Sequence, residues 1–378
     1  MSFVIAVGAL VFLMFVAYRG FSVILFAPVA ALGAVLLTDP AAVPPVFTGL
    51  FMDKMVGFVK LYFPVFLLGA VFGKVIELSG FSKSIVAAVI GLIGHQRAML
   101  SIVLVCAILT YGGVSLFVVV FAAYPFAAEM FREGNIPKRL IPGTIALGAF
   151  TFTMDSLPGT PQIQNIIPTT FFGTDTWAAP VLGTIGAGFI LVVGLTYLNW
   201  RRRQAASAGE GYGEGHTNEP EPVASERLPH PAVAILPLVV VGVLNKVLTS
   251  LIVAYYGTRS EVALPGLDHP LVTQVSSVAA IWAVLGALLA GILTVLIFAY
   301  REVAARFAEG SKAAVGGALL ASLNTASEYG FGAVIAALPG FLVIREALRA
   351  IPDPLINEAI SVTVLAGITG SASGGMSI

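Results

Sequence analysis

Two pairs of hydrophobic stretches that are interrupted in the middle constrain this chain more than any other feature. In the first half, the run Ala98–Ala128 is interrupted at Thr110–Ser115, and Leu140–Thr153 runs into the turn Met154–Pro161. Lipid offers no hydrogen-bond partners, so backbone that leaves a helix inside a bilayer must be buried in protein or line a wet cavity. These interruptions therefore predict a polar site enclosed by the protein.

The same pattern recurs in the second half. Ala313–Ile344 is interrupted at Asn324–Gly330, and Ser361–Ile368 runs into Thr369–Gly375. Matching interruptions in two halves of a membrane protein are the best sequence pointer to a binding site near the bilayer midplane. We therefore expect discontinuous helices and re-entrant hairpins in both halves.

Composition supports a membrane setting. The chain is 58% hydrophobic and 11% charged, whereas a soluble domain carries about 25% charged residues. Apolar runs approaching the roughly 20 residues that span a bilayer recur along most of the length. The predicted fold class is an all-α polytopic membrane protein built from two inverted-topology repeats.

Net charge is zero, so no nucleic-acid partner is expected. The single cysteine, Cys106, lies in an apolar run and is predicted to be a small packing residue.

A polar segment divides the chain into two membrane repeats, residues 1–200 and residues 231–378. The segment between them, residues 201–230, opens with Arg201-Arg202-Arg203 and continues with Gly, Glu, Pro and Ser. Such a composition cannot bury a core, so we expect a flexible linker. Three arginines directly after a span place this linker in the cytoplasm by the positive-inside rule.

The order of short motifs supports the repeat. In each half a proline, an Arg-Glu pair and an Ile-Pro pair follow one interruption in the same order. These motifs lie at Pro125, Arg132 and Pro137, and at Pro339, Arg345 and Pro352. The first half continues past its second interruption into a further span, whereas the chain ends at Ile378. We therefore expect the second repeat to be truncated and the natural protein to continue.

One carboxylate lies in an interruption of each half, Asp155 in the first and Glu328 in the second. Ionisable groups within a membrane are costly and usually functional, so both residues are predicted to carry a coupled proton. The structural alternative for each is a helix cap or an internal salt bridge.

Small hydroxyl, amide and glycine residues gather around the four interruptions and suit a polar organic substrate. Half-helix N-termini there would present backbone N–H groups to a carboxylate. Singly, each Ser or Thr is more typical of helix packing, so only the clustering favours a site. The predicted substrate-binding residues are Tyr111, Gly112, Gly113, Ser115, Ser156, Thr160, Gln162, Asn324, Thr325, Ser327, Thr369, Ser371 and Ser373.

The sequence lacks the motifs of common nucleotide-binding, metal-binding and hydrolase sites. There is no P-loop, so ATP is not expected to drive the protein directly. No His, Cys and carboxylate spacing is typical of a metal site, and neither a G-x-S-x-G nor an HExxH motif is present. We expect no cofactor and no metal.

The residues at three interruptions resemble the gluconate permease (GntP) family, within the ion-transporter group of carboxylate carriers. The resembling stretches are Leu109–Val120, Ala321–Gly332 and Gly367–Gly375, and the resemblance extends over most of the chain. It implies uptake of a small organic carboxylate across the bacterial inner membrane by proton symport, on an inverted-repeat fold with re-entrant hairpins. A homodimer is plausible by the same analogy.

One departure from the family concerns the substrate. Gluconate carriers have a Pro-Pro-His-Pro-Gly-Pro element after the first hairpin, whereas the matching stretch here reads Leu157-Pro158-Gly159-Thr160-Pro161. The Pro-Gly core is retained and the histidine is absent. A shorter hydroxy acid such as 3-hydroxybutyrate is therefore a rival to gluconate.

The residues leave two other functions open. A Na+/H+ antiporter would suit two intramembrane acids, although the many hydroxyl and amide groups favour an organic ligand. A membrane-embedded hydrolase or transferase would use Asp155 and Glu328 as paired acids, and would need both at one reacting atom. The doubled interruptions argue against it, so we expect the chain not to be an enzyme.

Overall fold

The computed structural model describes residues 2–94, 97–114, 116–216, 219–220, 228–342, 346, 350–369 and 372–377. These residues form an all-α polytopic membrane protein with one small β-hairpin. The helices are α1 (Ser2–Tyr18), α2 (Val23–Thr38), α3 (Met52–Leu78), α4 (Phe81–Ile93), α5 (Ala98–Tyr111), α6 (Leu116–Glu133), α7 (Ile141–Ala149), α8 (Phe152–Asp155), α9 (Ile163–Phe172), α10 (Pro180–Ser207), α11 (Pro231–Tyr256), α12 (Val275–Ala304), α13 (Phe307–Ala337), α14 (Pro354–Thr369) and α15 (Ala372–Ser377). The strands are β1 (Arg259–Val262) and β2 (Leu271–Gln274).

Long apolar helices give the molecule its membrane character. Within the described residues, the helical runs long and apolar enough to cross a membrane are Pro40–Leu78, Pro180–Ser207, Pro231–Tyr256 and Val275–Ala304. The first of them begins with the short helical segments Pro40–Ala42, Val43–Pro45 and Val46–Phe51, which continue into α3. Helix α10 illustrates the pattern, because Val181, Ile185 and Phe189 lie on its exposed surface. A helix that is apolar on its exposed faces is suited to lipid rather than to water.

The structure confirms both predicted interruptions of the first half. Helix α5 ends at Tyr111, two glycines turn the chain, and α6 begins at Leu116; Ser115 lies outside the described residues. Helix α8 ends at Asp155, and α9 begins at Ile163 after the Pro-Gly turn. Glycine and proline supply the turn conformations that interrupt the helices at these points.

The last predicted interruption is also present. Helix α14 ends at Thr369 and α15 begins at Ala372, while Gly370 and Ser371 lie outside the described residues. A Cβ added at Gly375 would lie 2.4 Å from the backbone nitrogen of Ala366. Helix α15 therefore folds back closely against α14.

The predicted interruption at Asn324–Gly330 is wrong, because α13 is one continuous helix from Phe307 to Ala337. Polar side chains do not break a helix when they bond back to the preceding turn. Thr325 Oγ1 does so, donating to the carbonyl oxygen of Ala321 at 3.2 Å. The stretch contains no proline, and each glycine costs only about 1 kcal/mol relative to alanine.

Contacts divide the chain into two compact units. Unit 1 comprises Met1–Phe66 and Gly316–Ile378, and unit 2 comprises Leu67–Val315. This grouping does not follow the predicted repeats, residues 1–200 and 231–378. Contacts do not report internal symmetry, however, so the repeat and its boundaries stay a prediction.

The core of unit 1 is formed by apolar side chains from helices that lie far apart in the chain. Leu13 of α1 and Ala31 of α2 are fully buried, as is Phe331 of α13. Alanines at positions 27, 31 and 34 keep one face of α2 small. Small residues allow helix backbones to approach closely, which is the main packing device within lipid.

In unit 2, helices α11 and α12 form an antiparallel pair joined by the β1–β2 hairpin, in which Arg259 pairs with Gln274. The sequence did not predict this hairpin.

Helices α5 and α7 are in close backbone contact, because a Cβ added at Gly148 would lie 2.3 Å from the carbonyl oxygen of Val103. Cys106 is fully buried at this contact, which confirms its predicted packing role.

Part of the predicted linker is helical, and part of it contacts unit 2. Helix α10 continues to Ser207, beyond the end at Trp200 that the sequence predicted. Farther along, Glu210 accepts two hydrogen bonds from Arg139, at 2.5 and 2.6 Å. Glu219 accepts hydrogen bonds from Lys138 at 2.6 Å, from Tyr212, and from Arg132. These residues join the linker to the connection between α6 and α7.

From these ion pairs we predict how the contact between the linker and the α6–α7 connection responds to pH and salt. Hydrogen bonds from Lys138, Tyr212 and Arg132 lower the pKa of Glu219 to about 2. A lowered pKa means that the stabilisation is complete above the pKa of an uncontacted glutamate and is lost only as the pH falls towards 2. The contact should therefore not change between about pH 5 and pH 8, whereas roughly 0.5 M salt should weaken these exposed pairs.

We expect Glu219→Gln to raise hydrogen exchange several-fold at the backbone amides of residues 208–216, measured by mass spectrometry at neutral pH. Glu214→Gln is the matched control, because Glu214 is exposed on the same segment. Equal exchange in the two variants would show that the Glu219 ion pairs do not hold the linker.

Candidate functional site

The two interruptions of the first half meet in unit 2. Tyr111 Oη donates a hydrogen bond to the carbonyl oxygen of Pro158 at 2.8 Å. Gln162 Nε2 donates to the carbonyl oxygen of Thr110 at 2.7 Å. The same carbonyl accepts a hydrogen bond from the backbone N–H of Gly113 at 3.0 Å, so Gln162 adds a second hydrogen bond at the end of α5. We call Thr110–Gly113 together with Pro158–Gln162 the unit 2 cluster.

Two glycines are required at the first turn of this cluster. A Cβ added at Gly112 would lie 2.3 Å from Cγ of Leu238, a residue of α11. Gly113 has a φ of 88°, in the left-handed region that glycine tolerates best. The turn can therefore press against α11 only because neither position carries a side chain.

Asp155 and Thr160, at the two ends of the second turn, differ in their exposure. Asp155 is exposed on unit 2, and its Oδ1 accepts a hydrogen bond from Ser156 Oγ at 2.8 Å. Thr160 is fully buried, and its Oγ1 has no hydrogen-bond partner among the residues that the structure describes. The predicted proton carrier of this half is thus at the surface of its unit, whereas a predicted substrate residue is inside.

The sequence reasoning missed Asn245 of α11 as a member of this site. Asn245 is fully buried, and its Nδ2 donates to the carbonyl oxygen of Gly159 at 3.0 Å and to Thr176 Oγ1 at 3.3 Å. Asn165 Nδ2 donates to the carbonyl oxygens of Thr160 at 3.0 Å and Thr176 at 2.9 Å. An amide within an apolar span was the available signal, because such groups usually bond across helices in membranes.

Two interruptions predicted for the second half supply residues that meet in unit 1. Thr325 Oγ1 and Ser373 Oγ lie 3.1 Å apart, within hydrogen-bond distance. Thr325 is on α13 and Ser373 is on α15. We call Asn324–Glu328 together with Ser373 the unit 1 cluster. It forms although α13 is continuous, because one helix face presents the residues that the sequence assigned to a break.

Glu328 supplies the carboxyl group of the unit 1 cluster, and 2% of its surface is exposed. Its neighbour Ser327 is fully buried, with Oγ 4.0 Å from Sδ of Met55, and Asn324 is half-buried on the same helix. Thr369 ends α14, but its side chain is outside the described part of the chain, as is Ser371.

The two clusters offer the same kind of chemistry. Each combines hydroxyl groups with amide or backbone polar groups among apolar helices; Glu328 belongs to the unit 1 cluster, whereas Asp155 lies outside the unit 2 cluster, at the surface of its unit. Such groups can bind a small polar molecule, and the carboxyl groups can carry a proton or hold a cation. Within each unit, the structure brings the two predicted segments together.

Comparison with known proteins identifies the class. No protein-family model and no solved structure matches the chain. The chain is 56% identical over 387 residues to a protein of Bacillus subtilis (strain 168) described as the uncharacterized transporter YxjC. The similarity covers 100% of this chain and 82% of that relative. With this identity and coverage, the chain belongs to the same family of membrane transporters as YxjC.

Proposed function

We propose that the chain is a secondary active transporter that takes up a small organic hydroxycarboxylate, such as gluconate or 3-hydroxybutyrate, together with a proton. It works as a multi-pass protein of the bacterial inner membrane, with residues 201–230 in the cytoplasm. The resemblance of Leu109–Val120 and Gly367–Gly375 to gluconate permeases supports this choice of substrate class. A second copy of the chain is a candidate partner.

One observation carries the proposal: in each unit, residues from two predicted interruptions form one polar cluster surrounded by apolar helices. In unit 2 the contacts run from Tyr111 and Gln162, and in unit 1 from Thr325 to Ser373. Polar groups inside a membrane are tolerated where they are buried in protein or line a cavity. Transporters bind their substrates at discontinuous helices, and three of the four segments, all except that on α13, are discontinuous here.

The proposed roles follow from the chemistry of the groups. Hydroxyl and amide side chains of the two clusters hydrogen-bond the body of the substrate. The N-termini of α6 and α9 present backbone N–H groups to its carboxylate. Glu328 or Asp155 loads a proton with the substrate and releases it inside, which makes uptake of a monoanion electrically neutral.

Uptake into proteoliposomes with an imposed pH gradient is the direct test. One proton per monoanion should accumulate substrate about tenfold per pH unit, since one unit is worth about 1.4 kcal/mol. Competition of labelled uptake by gluconate, 3-hydroxybutyrate, citrate and glycerate then identifies the substrate. Uptake that ignores the pH gradient but requires sodium would contradict proton coupling. Sodium-dependent proton movement without any organic acid would establish the antiporter instead.

A further inference from the structure

Lys246 is a charged residue at membrane depth that the roles above leave unused. It lies on α11, a helix of 26 residues, which is about 39 Å long and exceeds the roughly 30 Å hydrocarbon core. Tyr255, Tyr256 and Trp282 cluster near its C-terminal end, with ring centroids 4.8 and 5.5 Å apart. Such aromatic residues mark the membrane surface, which places Lys246 about 14 Å inside it.

The ammonium group of Lys246 lies beside the unit 2 cluster. Its Nζ is 4.8 Å from the ring centroid of Trp177. The same ring covers Gly159, where an added Cβ would lie 2.3 Å from Cζ2 of Trp177. The preceding residue, Asn245, donates to the carbonyl oxygen of Gly159. One aromatic ring therefore separates the lysine from the Pro-Gly turn.

Lys246 is exposed on unit 2, and in the described part of that unit no carboxylate lies within ion-pair distance of it. The ring of Trp177 attracts a cation but carries no net charge. A cation at this depth is costly and marks a functional site by default. An anionic ligand would remove that cost.

In the described part of the chain, buried polar atoms around the Pro-Gly turn also lack partners. Thr160 Oγ1, Asn245 Oδ1 and Trp177 Nε1 have no hydrogen-bond partner among the described residues. Thr160 and Asn245 are both fully buried, where an unmade hydrogen bond is expensive. A hydroxyl and an indole N–H can donate to a carboxylate, and the amide oxygen can accept from a hydroxyl. These groups match a short hydroxycarboxylate.

We propose that Lys246 binds the carboxylate of the transported anion, and that Thr160, Asn245 and Trp177 complete its recognition. This inference rests on the proposed function and deepens it, because it assigns an anionic substrate to the unit 2 cluster. It also separates two tasks: Lys246 recognises the anion, and Glu328 or Asp155 carries the proton.

The test compares Lys246→Gln with the parent in proteoliposomes. The probes are the acid that the parent takes up, 3-hydroxybutyrate or gluconate, and its uncharged primary amide as a competitor. Loss of a charge-assisted hydrogen bond should raise the KM for the acid about 10- to 100-fold, while inhibition by the amide stays unchanged. Lys246→Arg should keep most of the affinity, because the charge remains.

Two further variants exclude a structural explanation. Lys246→Met removes an intramembrane charge, so its thermal midpoint in detergent should equal or exceed that of the parent while its KM rises. Lys312→Gln, at an exposed lysine near the start of α13, should behave as the parent does. A parent-like KM for the acid in Lys246→Gln overturns the inference and leaves the proposed function standing. A parent chain that takes up no organic acid overturns the proposed function itself and the inference with it.

Discussion

Replacing Glu328 with glutamine is expected to abolish accumulation of the substrate against its gradient. Glutamine keeps the size and hydrogen-bonding capacity of the side chain, which is 2% exposed, but cannot release a proton. With a pH gradient of about 1.5 units, a one-proton symporter should accumulate a monoanion about 30-fold. Glu328→Gln should bring the ratio of inside to outside concentration down to about one, measured with labelled substrate in proteoliposomes.

Exchange of labelled for unlabelled substrate should survive in this variant, because binding does not require the proton carrier to titrate during exchange. Glu309→Gln is the matched control, since Glu309 is exposed in the first turn of the same helix. Full accumulation by Glu328→Gln together with loss in Asp155→Asn would assign the proton to Asp155. Full accumulation by both variants would refute both carriers.

Adding a single methyl group at Gly112 should disrupt the unit 2 cluster. The new Cβ would lie 2.3 Å from Cγ of Leu238 and 2.8 Å from its Cβ, so α11 itself has to move. Overpacking of this kind costs about 1–3 kcal/mol. Gly112→Ala should therefore lower the thermal midpoint in detergent and reduce uptake, because the same turn holds Tyr111 and Gln162 in their contacts.

The chain offers both a rescue and a control for Gly112→Ala. Shortening the opposing side chain with Leu238→Ala should restore part of the stability, but not all of it, since the Cβ of residue 238 remains. Gly91→Ala is the control, because an added Cβ there meets no atom within 4 Å and alanine is the better helix former. A Gly112→Ala chain as stable and active as Gly91→Ala would show that the turn is not tightly packed against α11.

The sequence predicted interruptions well where their cause is local. Gly112-Gly113 and Pro158-Gly159 carry turn conformations in their own backbone, so their positions could be predicted without tertiary contacts. At Asn324–Gly330 the prediction relied on polarity, which does not break a helix when side chains bond back to it. That segment proved helical, although Thr325 still meets Ser373 as a pair of polar groups.

Other parts of the site depend on contacts that no local pattern encodes. Gln162 bonds to Thr110 across 52 positions of sequence, and Asn245 bonds to Gly159 across 86. Asn245 and Lys246 escaped notice because the apolar residues around them make α11 an ordinary span by hydropathy. Two adjacent polar residues within such a span are the sequence signal that indicates a functional site there.

Because Cys106 is buried, thiol labelling at introduced cysteines can report the conformational changes of this transporter. The chain contains one cysteine, and that thiol is closed off between α5 and α7, where Gly148 leaves no gap. A membrane-impermeant maleimide should therefore leave the parent chain unlabelled. Thr160 and Ser373 are also buried in this structure, so a cysteine at position 160 or 373 should react only when its cluster opens. Labelling from one side of a vesicle would then report the side to which that cluster opens.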